Sequence, residues 1–138
     1  SAAKAWRDLE RGLIKPAMAP PDPSREVVTV GPASTVVWSG DVRSDEWLCV
    51  QVDNLDPTQV FTGTVERRLS SAAGWSTSTV GDFASIQPAG AVDPTTGVPL
   101  DSVTADLDIR ATGYLRLVMQ MAGLGGDVAV VVRKGPRK

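Results

Sequence analysis

Residues 103–134 read VTADLDIRATGYLRLVMQMAGLGGDVAVVVRK. Apolar side chains recur at every second position, and this period of two is typical of a β-strand with one buried face. The inward set in the middle of the stretch is Leu115, Leu117, Met119 and Met121. The glycine-rich run 123–126 predicts a hairpin turn, since it joins strand to strand and offers no helix N-terminus to bind phosphate. Val128 to Val132 is apolar on both faces, which favours a strand covered on both sides by its own chain or by a partner.

The same alternation extends back to Glu26. It predicts strands near 26–30, 35–39, 47–53, 60–70, 76–80, 103–109, 114–121 and 128–134. The other inward sets are Leu48, Val50 and Val52; Phe61, Val65 and Leu69; and Val103, Ala105, Leu107 and Ile109. About eight short strands predict an all-β, antiparallel two-sheet β-sandwich with a jelly roll as the leading topology. An immunoglobulin-like sandwich is the alternative, although the chain lacks paired cysteines.

Residues 1–25 form a separate N-terminal arm, and the sandwich domain with its C-terminal tail covers 26–138. The segment 2–14, AAKAWRDLERGLI, predicts a short amphipathic helix. Prolines at 16, 20, 21 and 23 then favour an extended spacer that reaches about 30 Å at roughly 3.1 Å per residue. A helix this short is marginal alone, so it packs on a partner or folds back on its own domain. The partner-binding residues predicted here are Trp6, Arg7, Leu9, Arg11, Leu13 and Lys15.

Charge is divided unevenly along the chain. The net charge is −2, yet the arm and the last six residues are basic and the sequence between them is acidic. The basic tail adds Arg133, Lys134, Arg137 and Lys138 to the predicted partner-binding residues. An acidic body with few aromatic residues argues against specific nucleic-acid binding. Charged residues near the N-terminus exclude a signal peptide or membrane span there, so we expect synthesis in the cytoplasm and no membrane partner.

The residue content argues against common catalytic chemistry. The chain has no histidine and one cysteine, Cys49, which excludes Ser-His-Asp triads, histidine metal sites and zinc clusters. Cys49 is predicted to be a small buried residue in a chain without disulfides. Asp101, Asp106 and Asp108 are more typical of a solvated acidic face than of a Ca²⁺ site. We therefore expect no enzyme activity, no metal and no cofactor.

One connection is too long for an ordinary hairpin. It runs from Ile86 to Val103 through QPAGAVDPTTGVPLDS. Residues 93–97 predict a turn at its tip, and projecting loops commonly carry intersubunit contacts. Asp93, Thr95 and Thr96 are therefore predicted to bind a partner.

Two segments suggest a family. Residues 47–88, WLCVQVDNLDPTQVFTGTVERRLSSAAGWSTSTVGDFASIQP, followed by residues 105–134, ADLDIRATGYLRLVMQMAGLGGDVAVVVRK, resemble small β-sandwich structural proteins of tailed bacteriophages. With the basic arm, the chain resembles a capsid decoration or cementing protein with a jelly-roll-like sandwich. The resemblance implies a homodimer or homotrimer on the capsid surface of the virion that ties neighbouring major capsid proteins together.

Two other functions stay open at this stage. The first is a carbohydrate- or receptor-binding sandwich, in which Trp38, Trp47 and Trp75 supply a stacking platform; for each of these residues core packing is at least an equal alternative. The second, ranked lowest, is an enzyme that uses carboxylates alone.

Overall fold

The computed structural model describes Ala3 and residues 22–42, 46–107, 113–121 and 123–136, with the backbone alone over 78–82. Of the predicted arm, the helix apart from Ala3 and residues 15–21 of the spacer lie outside the described residues, as does the end of the basic tail, 137–138. Eight strands make up the described fold. They are β1 (Arg25–Val30), β2 (Thr35–Val42), β3 (Glu46–Asn54), β4 (Phe61–Arg68), β5 (Ser76–Ile86), β6 (Ser102–Leu107), β7 (Gly113–Met121) and β8 (Gly126–Pro136).

The strands form two antiparallel sheets of four. The first sheet has the order β1-β8-β3-β6 and the second has the order β2-β7-β4-β5. Strand β1 thus pairs with β8, β2 with β7, β3 with β6 and β4 with β5. This nested pairing is that of one long hairpin rolled into two sheets, which is a jelly roll. The immunoglobulin-like alternative is wrong, since β1 pairs with the last strand of the chain.

The hydrophobic core fills the space between the sheets. Its largest fully buried side chains are Phe61, Phe83, Leu48, Ile86, Leu115, Leu117 and Met119. Alternation along β3 and β7 sends every second residue inward, so the predicted inward sets of these two strands are confirmed. Burying each such side chain contributes about 1.5–3 kcal/mol before the cost of ordering the chain is subtracted.

The strand positions predicted from alternation are confirmed, with four differences. Strand β5 continues to Ile86 instead of ending near residue 80, and strand β2 continues to Val42 instead of ending near residue 39. Leu69 was expected in the core but is 71% exposed, because β4 ends at Arg68 and the alternation ends with it. On β8 the double coverage is confirmed for residues 128–130, which are buried, while Val131 and Val132 are half-buried. Ile109 lies outside the described residues.

The two ends of the sandwich differ in what they carry. In an antiparallel jelly roll the four connections β1–β2, β3–β4, β5–β6 and β7–β8 lie at one end, here called the loop end. Backbone hydrogen bonds between these connections confirm this, including Leu55 N–H to Asp127 O (3.0 Å) and Ala89 N–H to Asp56 O (2.8 Å). The beginning of β1 and the end of β8 lie at the opposite end, here called the terminal end. Within the described part of the chain, no helix has the length and apolar character needed to cross a membrane.

Candidate interaction surfaces

A buried asparagine organises the loop end. Asn54 closes β3 and is 1% exposed. Its Nδ2 donates to the carbonyl oxygens of Gln59 (2.6 Å) and Gln87 (3.0 Å), and its Oδ1 accepts from the backbone N–H of Asp56 (2.9 Å). One side chain therefore ties the β3–β4 connection to the start of the β5–β6 connection, and both loops are held in place before any partner binds.

The β3–β4 connection is ordered further by its aspartate. Asp56 Oδ1 accepts from the backbone N–H groups of Thr58 and Gln59, each at 2.8 Å, and from the Thr58 hydroxyl at 3.1 Å. These backbone donors hold the pKa of the Asp56 carboxyl below its usual value, because they favour the ionised form. The turn thus presents a permanent negative charge at neutral pH.

The long β5–β6 connection folds as a small hairpin of its own. Asp93 Oδ1 accepts from the N–H groups of Thr95 (2.8 Å) and Thr96 (3.2 Å), and the N–H of Gly97 bonds to Asp93 O (2.8 Å). Val92 bridges to Pro99 below this turn. The predicted turn at residues 93–97 is confirmed. Asp93, Thr95 and Thr96 lie together at its tip, although two of Asp93's acceptor bonds serve the turn itself.

Apolar side chains are exposed on these ordered loops. They are Leu55, Val92, Val98, Leu100 and Leu124, and the last is 94% exposed at the apex of the β7–β8 turn. The loop sequences 31–34, 55–60, 87–101 and 123–125 contain three aspartates and no lysine or arginine. Exposed apolar groups on a preordered surface make a candidate interaction site. The carboxylates would repel nucleic-acid phosphates, so this surface best suits an apolar partner with a neutral or basic rim.

The other predicted partner residues lie at the terminal end. Arg133 is near the end of β8, where its guanidinium is 3.6 Å from the Asp22 carboxylate. Lys134 Nζ donates to the backbone oxygen of Asp41 at 3.0 Å. The structure therefore places these cations at the end opposite to Asp93, Thr95 and Thr96. Trp6, Arg7, Leu9, Arg11, Leu13, Lys15, Arg137 and Lys138 lie outside the described residues.

A cluster of arginine and aromatic side chains covers the outer face of the second sheet toward the terminal end. Arg116 Nε is 2.6 Å from Glu66 Oε1, and its guanidinium carbon is 4.4 Å from the centroid of the Trp75 ring. The Arg68 guanidinium carbon lies 4.5 Å from the same ring and 5.3 Å from that of Tyr114. We call Glu66, Arg68, Trp75, Tyr114 and Arg116 the arginine–tryptophan cluster. It pins the β4–β5 connection to the sheet and carries more positive than negative charge.

This cluster was missed in the sequence, although its signal is present there. Glu66 and Arg68 are two apart on one strand, as are Tyr114 and Arg116, so each pair faces outward together. The observed register sets Glu66 opposite Arg116 and Arg68 opposite Tyr114. Only the pairing of β4 with β7 brings the four residues together, and that pairing is not readable from alternation.

The three described tryptophans, Trp38, Trp47 and Trp75, do not form a stacking platform. Trp38 is half-buried against the core, as its alternative interpretation predicted. Trp75 is covered by two guanidinium groups. Trp47 is 37% exposed, and its indole lies so close to Gly135 that a side chain there would collide with it. Trp47 is the described tryptophan with the most open ring, since the sugar-stacking surfaces of the other two are occupied.

The two described acidic residues that were considered for metal binding, Asp101 and Asp106, are not brought together. Asp101 precedes β6 at the loop end, where its Oδ2 accepts from the Gly90 N–H at 2.9 Å. Asp106 lies farther along β6, opposite Cys49, and Asp108 is outside the described residues. Among the residues that the structure covers, no group of three or more His, Cys, Asp or Glu side chains is placed to hold a metal ion.

Cys49 differs from its prediction in burial. It is half-buried on the outer face of the first sheet, between Asp106 and Arg133 in register, and not in the core. Partial burial, and then a hydrogen bond with Asp106, raises the pKa of its thiol. Cys49 is thus a neutral thiol at neutral pH.

Comparison with known proteins adds a distant structural likeness. No protein-family model matches the chain, and no curated protein sequence matches it. A chain from the structure of infectious bursal disease virus, Gt strain, aligns with 82% of this chain at 9% identity and a TM-score of 0.39. A chain from the Gx strain aligns with 88% of it at 9% identity and a TM-score of 0.38. The aligned regions span 29% and 34% of those chains, so this chain has about a third of their length.

Proposed function

We propose that this chain is a non-enzymatic structural protein that binds the outer surface of a phage capsid and cements neighbouring major capsid subunits. Jelly rolls occur as viral capsid and lectin domains, and the fold alone does not choose between these functions. The observation that carries the proposal is that exposed apolar loops and the basic segments lie at opposite ends of one sandwich.

The loop end supplies the first contact region. Four of its exposed apolar side chains, Leu55, Val92, Val98 and Leu100, stand on connections that Asn54, Asp56 and Asp93 already order. Because these loops are ordered in advance, binding costs little conformational entropy there. A surface of this kind suits a stable contact with a neighbouring protein.

The terminal end supplies the second region. Strand β1 starts and β8 finishes there, so the basic arm and the basic tail both continue from this end. Their net positive charge favours an acidic partner surface. A body held at two separated ends bridges two neighbours, and both contacts must break before the neighbours separate.

Purified virus particles provide the test. If the chain has this role, mass measurement should find it in a fixed ratio to the major capsid protein. Adding the chain to shells that lack it should raise the temperature at which those shells break. Leu124→Ser is the matched variant for the loop-end contact, since that side chain is not needed for the fold. Absence of the chain from purified particles, or shells whose heat stability is unchanged by saturating chain, would refute the cementing role.

Carbohydrate binding is the second candidate, and the exposure of Trp47 favours it. A glycan array separates the two functions. Glycan binding that disappears in Trp47→Ala and persists in Leu124→Ser would support a lectin-like module in place of a cementing protein. The absence of catalytic turnover also stays a prediction, and a hydrolytic activity abolished by Asp106→Asn would contradict it.

A further inference from the structure

The surfaces of the molecule itself limit which partners would fit the loop end. The loop end combines apolar side chains with carboxylates and, in the sequences 31–34, 55–60, 87–101 and 123–125, has no cation to balance them. Its complement must be cationic and apolar. Among the surfaces that the structure describes, the arginine–tryptophan cluster meets both requirements.

The cluster has the composition of an interaction hot spot. Tryptophan, tyrosine and arginine are the residues most often found to dominate binding energy. Tyr114 is exposed beside the cluster's guanidinium groups. Leu69, which is 71% exposed, lies next to Gly113 at the edge of the cluster. The guanidinium groups of Arg68 and Arg116 are already stacked on Trp75, so little rotamer freedom is left to lose on binding.

We infer that the loop end of one copy docks on the arginine–tryptophan cluster of the next copy, with Leu124 as its apolar anchor. The two surfaces lie toward opposite ends of the sandwich, so one molecule cannot join them to each other. Each copy instead donates its loop end to one neighbour and its cluster to another. This deepens the proposed function, on which it rests, by naming a second copy of the chain as the partner of the loop end.

The arrangement also bears on the kind of oligomer. A contact between two different surfaces is heterologous, and it forms a closed ring when the rotation between copies closes and a filament when it does not. A twofold dimer would have to make the contact twice across one interface, with each loop end on the cluster of the other copy. Of the dimer and trimer considered from the sequence, the ring-shaped trimer is the one in which each interface holds a single loop-end contact.

The test uses two surface variants of the full chain. Leu124→Asp disables the loop end and Leu69→Asp disables the cluster; both positions are largely exposed, so circular dichroism and thermal melting should match the unmodified protein. Val27→Asp, at an exposed position on the other sheet, is the control. Arg116→Gln is a second cluster variant that removes the charge and keeps much of the side-chain volume.

Analytical ultracentrifugation reports the result. We expect the unmodified chain and Val27→Asp to form a closed oligomer at high micromolar concentration, weakened by added salt, and each disabled variant to be a monomer. An equimolar mixture of the two disabled variants should form a one-to-one dimer and nothing larger, because one intact contact remains between them. Self-association of either disabled variant alone, or a mixture that stays monomeric, would overturn the inference.

The measurement needs no shell, so it separates this inference from the proposed function. A strictly monomeric unmodified chain would overturn the head-to-tail contact and leave shell binding by the arm and the tail still to be tested. A chain that forms the ring but does not bind shells would refute cementing and keep the contact between copies.

Discussion

Individual side chains determine how rigid the loop end is. Asn54 and Asp56 are both polar, and each spends its hydrogen-bonding capacity on backbone groups of the connections around it. Asn54 makes these hydrogen bonds in full burial, where an unpaired amide is costly. Asp56 makes them near the surface, where the hydrogen bonds favour the ionised form of its carboxyl group. The two residues therefore predict different experimental signatures.

Replacing Asn54 by leucine should lower the free energy of unfolding by about 1–3 kcal/mol, because the carbonyl groups of Gln59 and Gln87 and the N–H of Asp56 lose a buried partner. Urea denaturation measures the change. Gln51→Leu is the control, since Gln51 makes its hydrogen bonds at the surface, and its effect should stay within about 0.5 kcal/mol. Equal effects of the two variants would show that Asn54 does not hold the loops.

Asp56 predicts a pH dependence. Its pKa is lowered in the folded state, so its carboxylate adds stability above the unfolded value of 3.8, and this contribution is lost as pH falls through the lower folded pKa. The unmodified protein should therefore exceed Asp56→Asn in stability at neutral pH, and the difference should shrink as pH falls below 3.8. Denaturation at several pH values tests this, with Glu26→Gln as the control for loss of one charge. A difference that does not change with pH would contradict the assigned role.

At the scale of elements, turns decide where the strands stop and which residues they present. The β7–β8 turn holds Gly125 at a φ of 97°, and a side chain there would collide with the backbone oxygen of Val30. The side chain of the neighbouring Leu124 is 94% exposed to solvent. One turn thus combines a residue that the fold requires with one that the fold leaves free.

Gly125→Ala should destabilise the protein by about 1–3 kcal/mol, since it adds a left-handed backbone strain to a collision with the β1–β2 connection. Leu124→Ser on the same turn should change the free energy of unfolding by no more than about 0.5 kcal/mol. Thermal and urea unfolding of the pair compare the two positions directly. A large loss of stability in Leu124→Ser would mean that Leu124 packs within its own fold, and it would remove the basis for its role as an anchor.

The hydrophobic core of the described structure is formed by its eight strands. The buried core extends from Val30 to Val130, and Ser24 and Glu26, at the point where the arm joins, line a cavity of about 190 Å³ between the sheets. Val37, Trp38, Val130 and Val132 complete the lining of this cavity. We expect an arm that folds back on its own domain to pack in this cavity, because the arm joins the sandwich beside it.

Deletion of residues 1–21 should leave a folded sandwich whose free energy of unfolding changes by less than about 1 kcal/mol, because the surface ion pair between Asp22 and Arg133 is kept and the core is intact. The same deletion should weaken binding to shells. Circular dichroism, urea unfolding and shell co-sedimentation measure these effects. A large loss of stability would show that the arm fills the cavity of its own domain, and shell binding at full affinity would show that the arm is not needed for attachment.

Local alternation was enough to predict the strands and most of their inward faces, and turn-forming residues were enough to predict the turn at 93–97, since each feature depends on residues that are close in sequence. Leu69 was misplaced because alternation does not show where a strand ends. The arm and most of the predicted contact residues are sequence predictions that the described structure does not test.

The sequence by itself determined that this chain is a two-sheet β-sandwich with a jelly roll as the leading topology, because a period of two commits each strand to one buried face. Only the tertiary structure decided the nested pairing of β1 with β8, the gathering of two aspartate-bearing loops at one end and the arginine–tryptophan cluster toward the opposite end of the molecule. Those arrangements depend on pairing between residues that are far apart in the sequence, such as Arg25 on β1 and Val131 on β8. Such pairings depend on how the two sheets pack around a shared core. Alternation within one strand does not show which other strand it pairs with.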